Sequence, residues 1–169
     1  ISGDFTFFGG IYRDVWLTAV SKQHFHLTNY GSEGIFISTP KVSEEKGTIL
    51  IRGDIKNDAT QKALLELEHI IYHPNGSIAQ SLKQSIQIKA GEQYSFRSET
   101  SPILSPQLWT PETPHLYRVE SILRDKKTKT VLDQSNHYTG FRWFSFDGER
   151  GFSLNGKPYK LRGICRHQD

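Results

Sequence analysis

Apolar and polar residues alternate at every second position through most of this chain, and that pattern constrains its fold more than any other feature. A period of two matches the pleat of a β-strand and turns one face of the element toward a core. Over residues 47–57, Ile49, Ile51 and Ile55 point one way while Arg52, Asp54 and Lys56 point the other. Over residues 62–73, Leu65, Leu67 and Ile71 share a face opposite Glu66 and Glu68, which read as solvated surface residues. His73-Pro74-Asn75-Gly76 follows with hairpin chemistry, because an Asn-Gly pair tolerates positive φ. Leu82, Ile86 and Ile88 predict the next strand, and Tyr94 with Phe96 the one after the Ala90-Gly91-Glu92 turn. Tyr117, Val119, Ser121 and Leu123 alternate again, and a polar loop leads into Val131 and a last pair of strands through Tyr138 and Phe146. Helical periodicity is sustained nowhere, so the expected fold is all-β, an antiparallel sandwich with its body near residues 33–146.

Proline sets the exception. Pro102, Pro106, Pro111 and Pro114 remove four backbone donors between residues 101 and 114, which excludes a central strand and predicts an irregular crossing segment pinned by Leu108 and Trp109. A chain of 169 residues can bury enough surface for one domain without staples. Its 36% hydrophobic and 23% charged residues argue against disorder and against a membrane span. A net charge of +3, with only the short run Lys126-Lys127-Thr128-Lys129 as a basic tract, argues against a nucleic-acid footprint. Cys165 is the single cysteine, which excludes an internal disulfide and leaves the compartment open between cytoplasm and periplasm. The first residues lack a signal-peptide pattern and an initial Met, and the expectation is an internal piece of a longer protein. Residues 9–17 read as a glycine-led strand ahead of the sandwich, and residues 152–158 as a short hairpin behind it.

Three stretches then carry a family resemblance in a consistent order: Gly10-Ile11-Tyr12-Arg13-Asp14-Val15; Trp109-Thr110-Pro111-Glu112-Thr113-Pro114-His115-Leu116-Tyr117 with Gly140-Phe141-Arg142; and Leu154-Asn155-Gly156-Lys157-Pro158 through Leu161-Arg162-Gly163 to Arg166-His167-Gln168-Asp169. Together they resemble the family 2 glycoside hydrolases. The resemblance implies the end of a sugar-binding jelly-roll domain over residues 1–20, an immunoglobulin-like β-sandwich over 33–146, and the start of a (β/α)8 catalytic barrel over 151–169. Residues 159–164 would be the first barrel strand. The family holds β-galactosidases, β-glucuronidases and β-mannosidases, and the stretch Gly163–Asp169 is most like the first, with Cys165 where the galactosidase pattern most often has Asn. The implied role is a non-catalytic spacer in a retaining enzyme that cleaves terminal β-galactosides. Glucuronide or mannoside specificity within the family, and a free-standing carbohydrate- or protein-binding module, are the alternatives.

Retention needs two carboxyl groups about 5 to 5.5 Å apart, and in this family both are glutamates, the acid/base following an Asn. No Asn-Glu pair occurs here, so no catalytic residue is expected within the chain. The resemblance does place substrate-binding residues at its edges. His167 matches the histidine that donates hydrogen bonds to a galactosyl hydroxyl, Asp4 stands at the offset of a sugar-binding aspartate, and Arg166 and Asp169 flank His167 as candidates to orient it. No cofactor is expected in this chain. Sodium or magnesium, and homo-oligomeric assembly, are left to the full-length enzyme. His24 and His26 alternate around Phe25 but lack a third ligand at convincing spacing, and so read as surface polar residues rather than a metal site. Trp109 reads as a plug at the sandwich end rather than a sugar platform.

Overall fold

The computed structural model describes residues 9–11, 13–27 and 32–165. Its strands, in chain order, are β1 (Gln23–Phe25), β2 (Ile35–Val42), β3 (Lys46–Asn57), β4 (Ala63–Tyr72), β5 (Ile78–Ile88), β6 (Gln93–Glu99), β7 (Ile103–Leu104), β8 (Tyr117–Asp125), β9 (Val131–Thr139), β10 (Phe144–Asp147), β11 (Gly151–Leu154) and β12 (Lys157–Pro158). They form three antiparallel sheets. In the first, β3 is the spine: β1 and β2 pair along one of its edges, and β6 and β7 along the other. The second has the order β5-β4-β8-β9, and the third, smaller one has the order β10-β11-β12.

The first two sheets pack face to face as the expected immunoglobulin-like sandwich. Ile49, Ile51 and Ile55 of β3 meet Leu65, Leu67 and Ile71 of β4 and Val119 and Leu123 of β8 in one buried cluster. Each such side chain contributes roughly 1.5–3 kcal/mol by leaving water. Tyr117 and Phe141 close the core at one end, edge to face at 4.8 Å between ring centres. The Tyr117 hydroxyl accepts a hydrogen bond from the Gln107 backbone N–H at 3.1 Å, which ties the proline-rich crossing segment to β8. Where the chain leaves β3 for the other sheet, buried Asn57 donates from Nδ2 to the carbonyls of Gln61, Ile88 and Lys89, and its Oδ1 accepts from Gln23 Nε2 at 2.8 Å.

The outward face of the second sheet is not uniformly solvated. Glu68 is only 7% exposed and lies beneath Arg124 at 2.6 Å, Lys83 at 3.1 Å and Ser81 at 3.2 Å. Burial works against its charged form, but the hydrogen bonds from Lys83, Arg124 and Ser81 outweigh it, and its pKa lies below the usual carboxylate value. The solvated reading fits Glu66, which pairs with Lys129 at 3.0 Å, better than Glu68.

Three other expectations change. The strand through Phe146 is not a sandwich strand: β10 pairs with β11 in the third sheet, with Phe146 opposite Phe152. Residues 13–20 form no strand among those described, and Val15, Trp16 and Leu17 are exposed. Residues 161–165 are likewise outside any strand, with Ile164 exposed. In both stretches the backbone has no neighbouring strand among the described residues to complete a ladder.

One inward position carries an imidazole. His69 sits between Leu67 and Ile71 on the core face of β4, is 1% exposed, and has its Nδ1 2.8 Å from the Ser121 hydroxyl. Burial pushes its pKa from 6.5 down to about 4. The folded protein therefore holds fewer protons than the unfolded chain between these two values, and stability falls as pH drops from 6.5 toward 4 and levels off below. This single group should withdraw about 3 kcal/mol across that window. Urea unfolding of the chain and of His69→Phe at pH 7 and pH 4.5 checks this: the variant should lose distinctly less stability on acidification, and equal losses would show that His69 is not the group responsible.

Candidate functional site

The four residues expected to contact substrate, Asp4, Arg166, His167 and Asp169, lie outside the described residues. Among the described residues, parts of the second and third motif stretches converge instead on a seam between the end of the sandwich and the third sheet. The proline-rich segment supplies Trp109, whose N–H donates to Phe141 O at 2.8 Å. Gly140 lies against this indole so closely that a Cβ there would stand 2.7 Å from Trp109 Cβ, and the Arg142 guanidinium stacks 4.6 Å from the ring centre. Trp109 thus acts as the expected plug, and its exposed face is taken by Arg142.

The third sheet is clasped to this plug by Asn155. The turn between β11 and β12 puts Asn155 at φ 50° and Gly156 at φ 74°, the two positive values of a type I′ turn, for which Asn-Gly is the favoured pair. Held in that geometry, Asn155 donates its backbone N–H to Trp143 O at 2.9 Å, accepts from Trp143 N–H on Oδ1 at 3.1 Å, and donates from Nδ2 to Trp109 O at 3.0 Å. Tyr159 adds a second tie, its hydroxyl donating to Glu112 Oε1 at 2.9 Å. The Glu112 pKa is lowered by a backbone hydrogen bond within its own residue and then by Tyr159, while the Tyr159 phenol is raised mainly by its bond to Glu112. Neither Asn155 nor Glu112 stood out in the sequence as more than motif positions. The signal for Asn155 was the Asn-Gly pair, which reports the turn and is silent about Trp109.

The face of the third sheet beside this seam is apolar. Phe144 and Leu154 form one cross-strand pair, Phe146 and Phe152 the next, with the latter rings 5.0 Å apart. With Trp109 and Tyr159 they line an open groove of about 450 Å³, and Phe146 remains 72% exposed.

His24 is buried rather than on the surface: its Nδ1 lies 2.9 Å from Ser21 O, which can only accept, so this nitrogen carries the proton. Its Nε2 lies 3.9 Å from Asp58. Among the described residues no three His, Cys, Asp or Glu side chains gather as metal ligands, and no helix is long and apolar enough to cross a membrane.

Residues 33–142 match the family described as Glycosyl hydrolases family 2. Bacteroides uniformis β-glucuronidase 2, solved covalently bound to cyclophellitol-6-carboxylate aziridine, is 72% identical with a TM-score of 0.95, over 99% of this chain and 20% of that one. A putative β-glucuronidase of Formosa agariphila is 36% identical over 98% of this chain and 18% of its own length. A β-galactosidase of Bacteroides ovatus is 28% identical over 95% of this chain and 18% of its own length. The chain thus spans about a fifth of the relatives it matches. A match of this extent, over more than half of the chain, shows that the chain belongs to glycosyl hydrolases family 2.

Proposed function

We propose that this chain is the spacer of a β-glucuronidase: a non-catalytic sandwich that fixes a sugar-binding domain and a catalytic barrel relative to one another, in a protein that cleaves β-glucuronides with retention. The observation that carries the substrate class is the 72% identity to the Bacteroides uniformis β-glucuronidase. This reading replaces the β-galactoside expected from the sequence. That relative was captured covalently on a carboxylate-bearing ring, which accords with a nucleophilic carboxylate and with glucuronide recognition. The residues that would separate a glucuronide carboxylate from a galactoside hydroxymethyl are assigned to polypeptide other than the described residues, as are the two catalytic glutamates. His167, Asp4, Arg166 and Asp169 remain the positions of this chain proposed to border that pocket.

The spacer role rests on the Asn155 clasp and on the aromatic face beside it. A connector transmits position only if its last element is rigid against its body; the Asn155 Nδ2 bond to Trp109 O and the Tyr159–Glu112 tie supply that rigidity, while the two bonds to Trp143 extend the β10–β11 ladder. The exposed Phe144, Phe146 and Phe152 face suits burial against the following barrel, because apolar cross-strand pairs gain stability only when covered.

Two measurements test these claims. The full-length enzyme should turn over nitrophenyl β-glucuronide with a kcat/KM at least on the order of 100-fold above nitrophenyl β-galactoside, since a pocket built to pair a carboxylate leaves its cations unpaired with a hydroxymethyl. Equal or greater activity on the galactoside rejects the substrate class. For the clasp, Asn155→Ala should cost about 2–3 kcal/mol through lost hydrogen bonds and a left-handed alanine. By hydrogen exchange, amide protection should fall in residues 144–158 while β3 keeps its own, and unchanged protection there would remove Asn155 from the role assigned to it.

A further inference from the structure

The end of the sandwich opposite the seam carries a charge that neither the spacer role nor the Asn155 clasp uses. Strand β3 starts beside the seam and ends at Asn57, and at that far end lie the loops 58–62, 89–92 and 126–130, with residue 22 just ahead of β1. Seven lysines stand here, Lys22, Lys56, Lys62, Lys89, Lys126, Lys127 and Lys129. Two of them are paired, Lys89 with Glu92 at 3.5 Å and Lys129 with Glu66 at 3.0 Å. Among the described residues no carboxylate stands within ion-pair distance of the other five. The acids left at this end turn elsewhere. Asp125 Oδ1 accepts from the backbone N–H groups of Lys127 and Thr128 at 2.9 and 2.7 Å, and Asp58 lies 3.9 Å from His24 Nε2.

Hydrogen bonds hold these loops together as one surface. Asn57 Nδ2 donates to Gln61 O at 2.9 Å and to Lys89 O at 3.1 Å, and Asp58 N–H donates to Lys22 O at 2.7 Å. Lys126 N–H donates to Leu64 O at 2.9 Å, and half-buried Lys56 reaches Gly91 O with its ammonium at 2.7 Å. Lys22, Lys62, Lys126 and Lys127 are exposed on segments far apart in sequence that the fold brings to one end. Because the loops are ordered by folding itself, a ligand does not have to order them on binding.

A cluster of cations without carboxylates fits an anion, and its layout narrows which kind. A single exposed ion pair is worth little in water, so only a ligand that repeats its charges and engages several lysines at once gains much. Lysine offers a point charge on a flexible stem, which suits spaced carboxylates, whereas arginine offers a planar fork. These loops hold no arginine and no aromatic ring on which a base could stack, which disfavours a nucleic acid. We infer that the lysine end of the sandwich is an accessory binding surface for a polysaccharide with repeated uronate carboxylates, an inference that rests on the glucuronide reading above for the class of polymer. The surface retains such a polymer beside the parent enzyme and raises the local concentration of its chain ends.

Hyaluronan, in which alternating glucuronates are the only charged groups, is the probe. In affinity electrophoresis the full-length enzyme should be retarded by hyaluronan and not by neutral dextran, and added salt should abolish the retardation. The triple variant Lys62→Gln, Lys126→Gln, Lys127→Gln should bind hyaluronan more weakly by a factor on the order of 10. A control that removes the same charge elsewhere on the sandwich, Lys41→Gln, Lys46→Gln, Arg97→Gln, should bind it within about 2-fold of the unaltered enzyme. All three proteins should melt together, since the replaced side chains are exposed. Turnover of nitrophenyl β-glucuronide reports the substrate class alone and should be equal in all three. Hyaluronan left unbound while that turnover persists, or equal losses in the two variants, overturns the inference and leaves the substrate class standing. Duplex DNA bound as tightly as hyaluronan overturns it as well. A loss of hyaluronan binding confined to the first variant supports it even where the glucuronide is not turned over, a result that would reject the substrate class alone.

Discussion

Strand β3 is paired along both of its edges, and most of the remaining structure follows from holding it there. With β1 and β2 on one side and β6 and β7 on the other, its inward isoleucines are fixed at the middle of the sandwich, where β4 and β8 must cover them. The fit is close enough to dictate its two glycines. A Cβ at Gly47 would stand 2.6 Å from the Phe141 ring, and one at Gly53 would collide with the Gly34 carbonyl and the Phe96 ring. Gly47 thus connects the spine to the same Phe141 whose carbonyl receives Trp109, so packing on β3 and the position of the seam are one problem. Asn57 serves the other end, where the chain changes sheets and carbonyls from two separate segments need a donor.

The strands of the sandwich were legible because alternation is a local property: the residues that make Leu65, Leu67 and Ile71 share a face are the residues of that strand. What the pattern does not encode is the partner. Phe144 and Phe146 alternate as a sandwich strand would, yet their ladder is made with β11. Period two reports that one face is apolar and says nothing of which sheet the strand joins. Glu68 was read as solvated for a similar reason. Its outward direction was correct, but its cover comes from Lys83 and Arg124, which lie on the two neighbouring strands. His69 occupies an inward position, and the local sequence does not show what pairs with a buried imidazole there, because Ser121 stands 52 residues away.

Family membership was legible for a different reason: it rests on motifs in order, and parts of two of them, around Trp109 and around Asn155, build the seam. The sugar was not. Discrimination between a carboxylate and a hydroxymethyl is made by side chains that face the substrate, and a sandwich and its seam are under no physical demand to differ between two such enzymes. The cysteine at position 165 and the tail beyond it belong to a stretch that resembles the barrel's beginning, and they could indicate the family without indicating the sugar.

Asn155 shows how one side chain can answer a local and a distant requirement together. The turn asks for a residue that accepts positive φ, which glycine, asparagine and aspartate all do. The seam asks for an acceptor toward Trp143 N–H and a donor toward Trp109 O. Glycine would satisfy the turn and leave both seam groups unanswered. Aspartate would satisfy the turn and Trp143, but it would set a carboxylate oxygen against the Trp109 carbonyl, a repulsion in a half-buried place. Only asparagine meets all three conditions. The Asn-Gly pair is therefore fixed by more than hairpin statistics: the turn positions the amide, and the amide holds the third sheet to the sandwich.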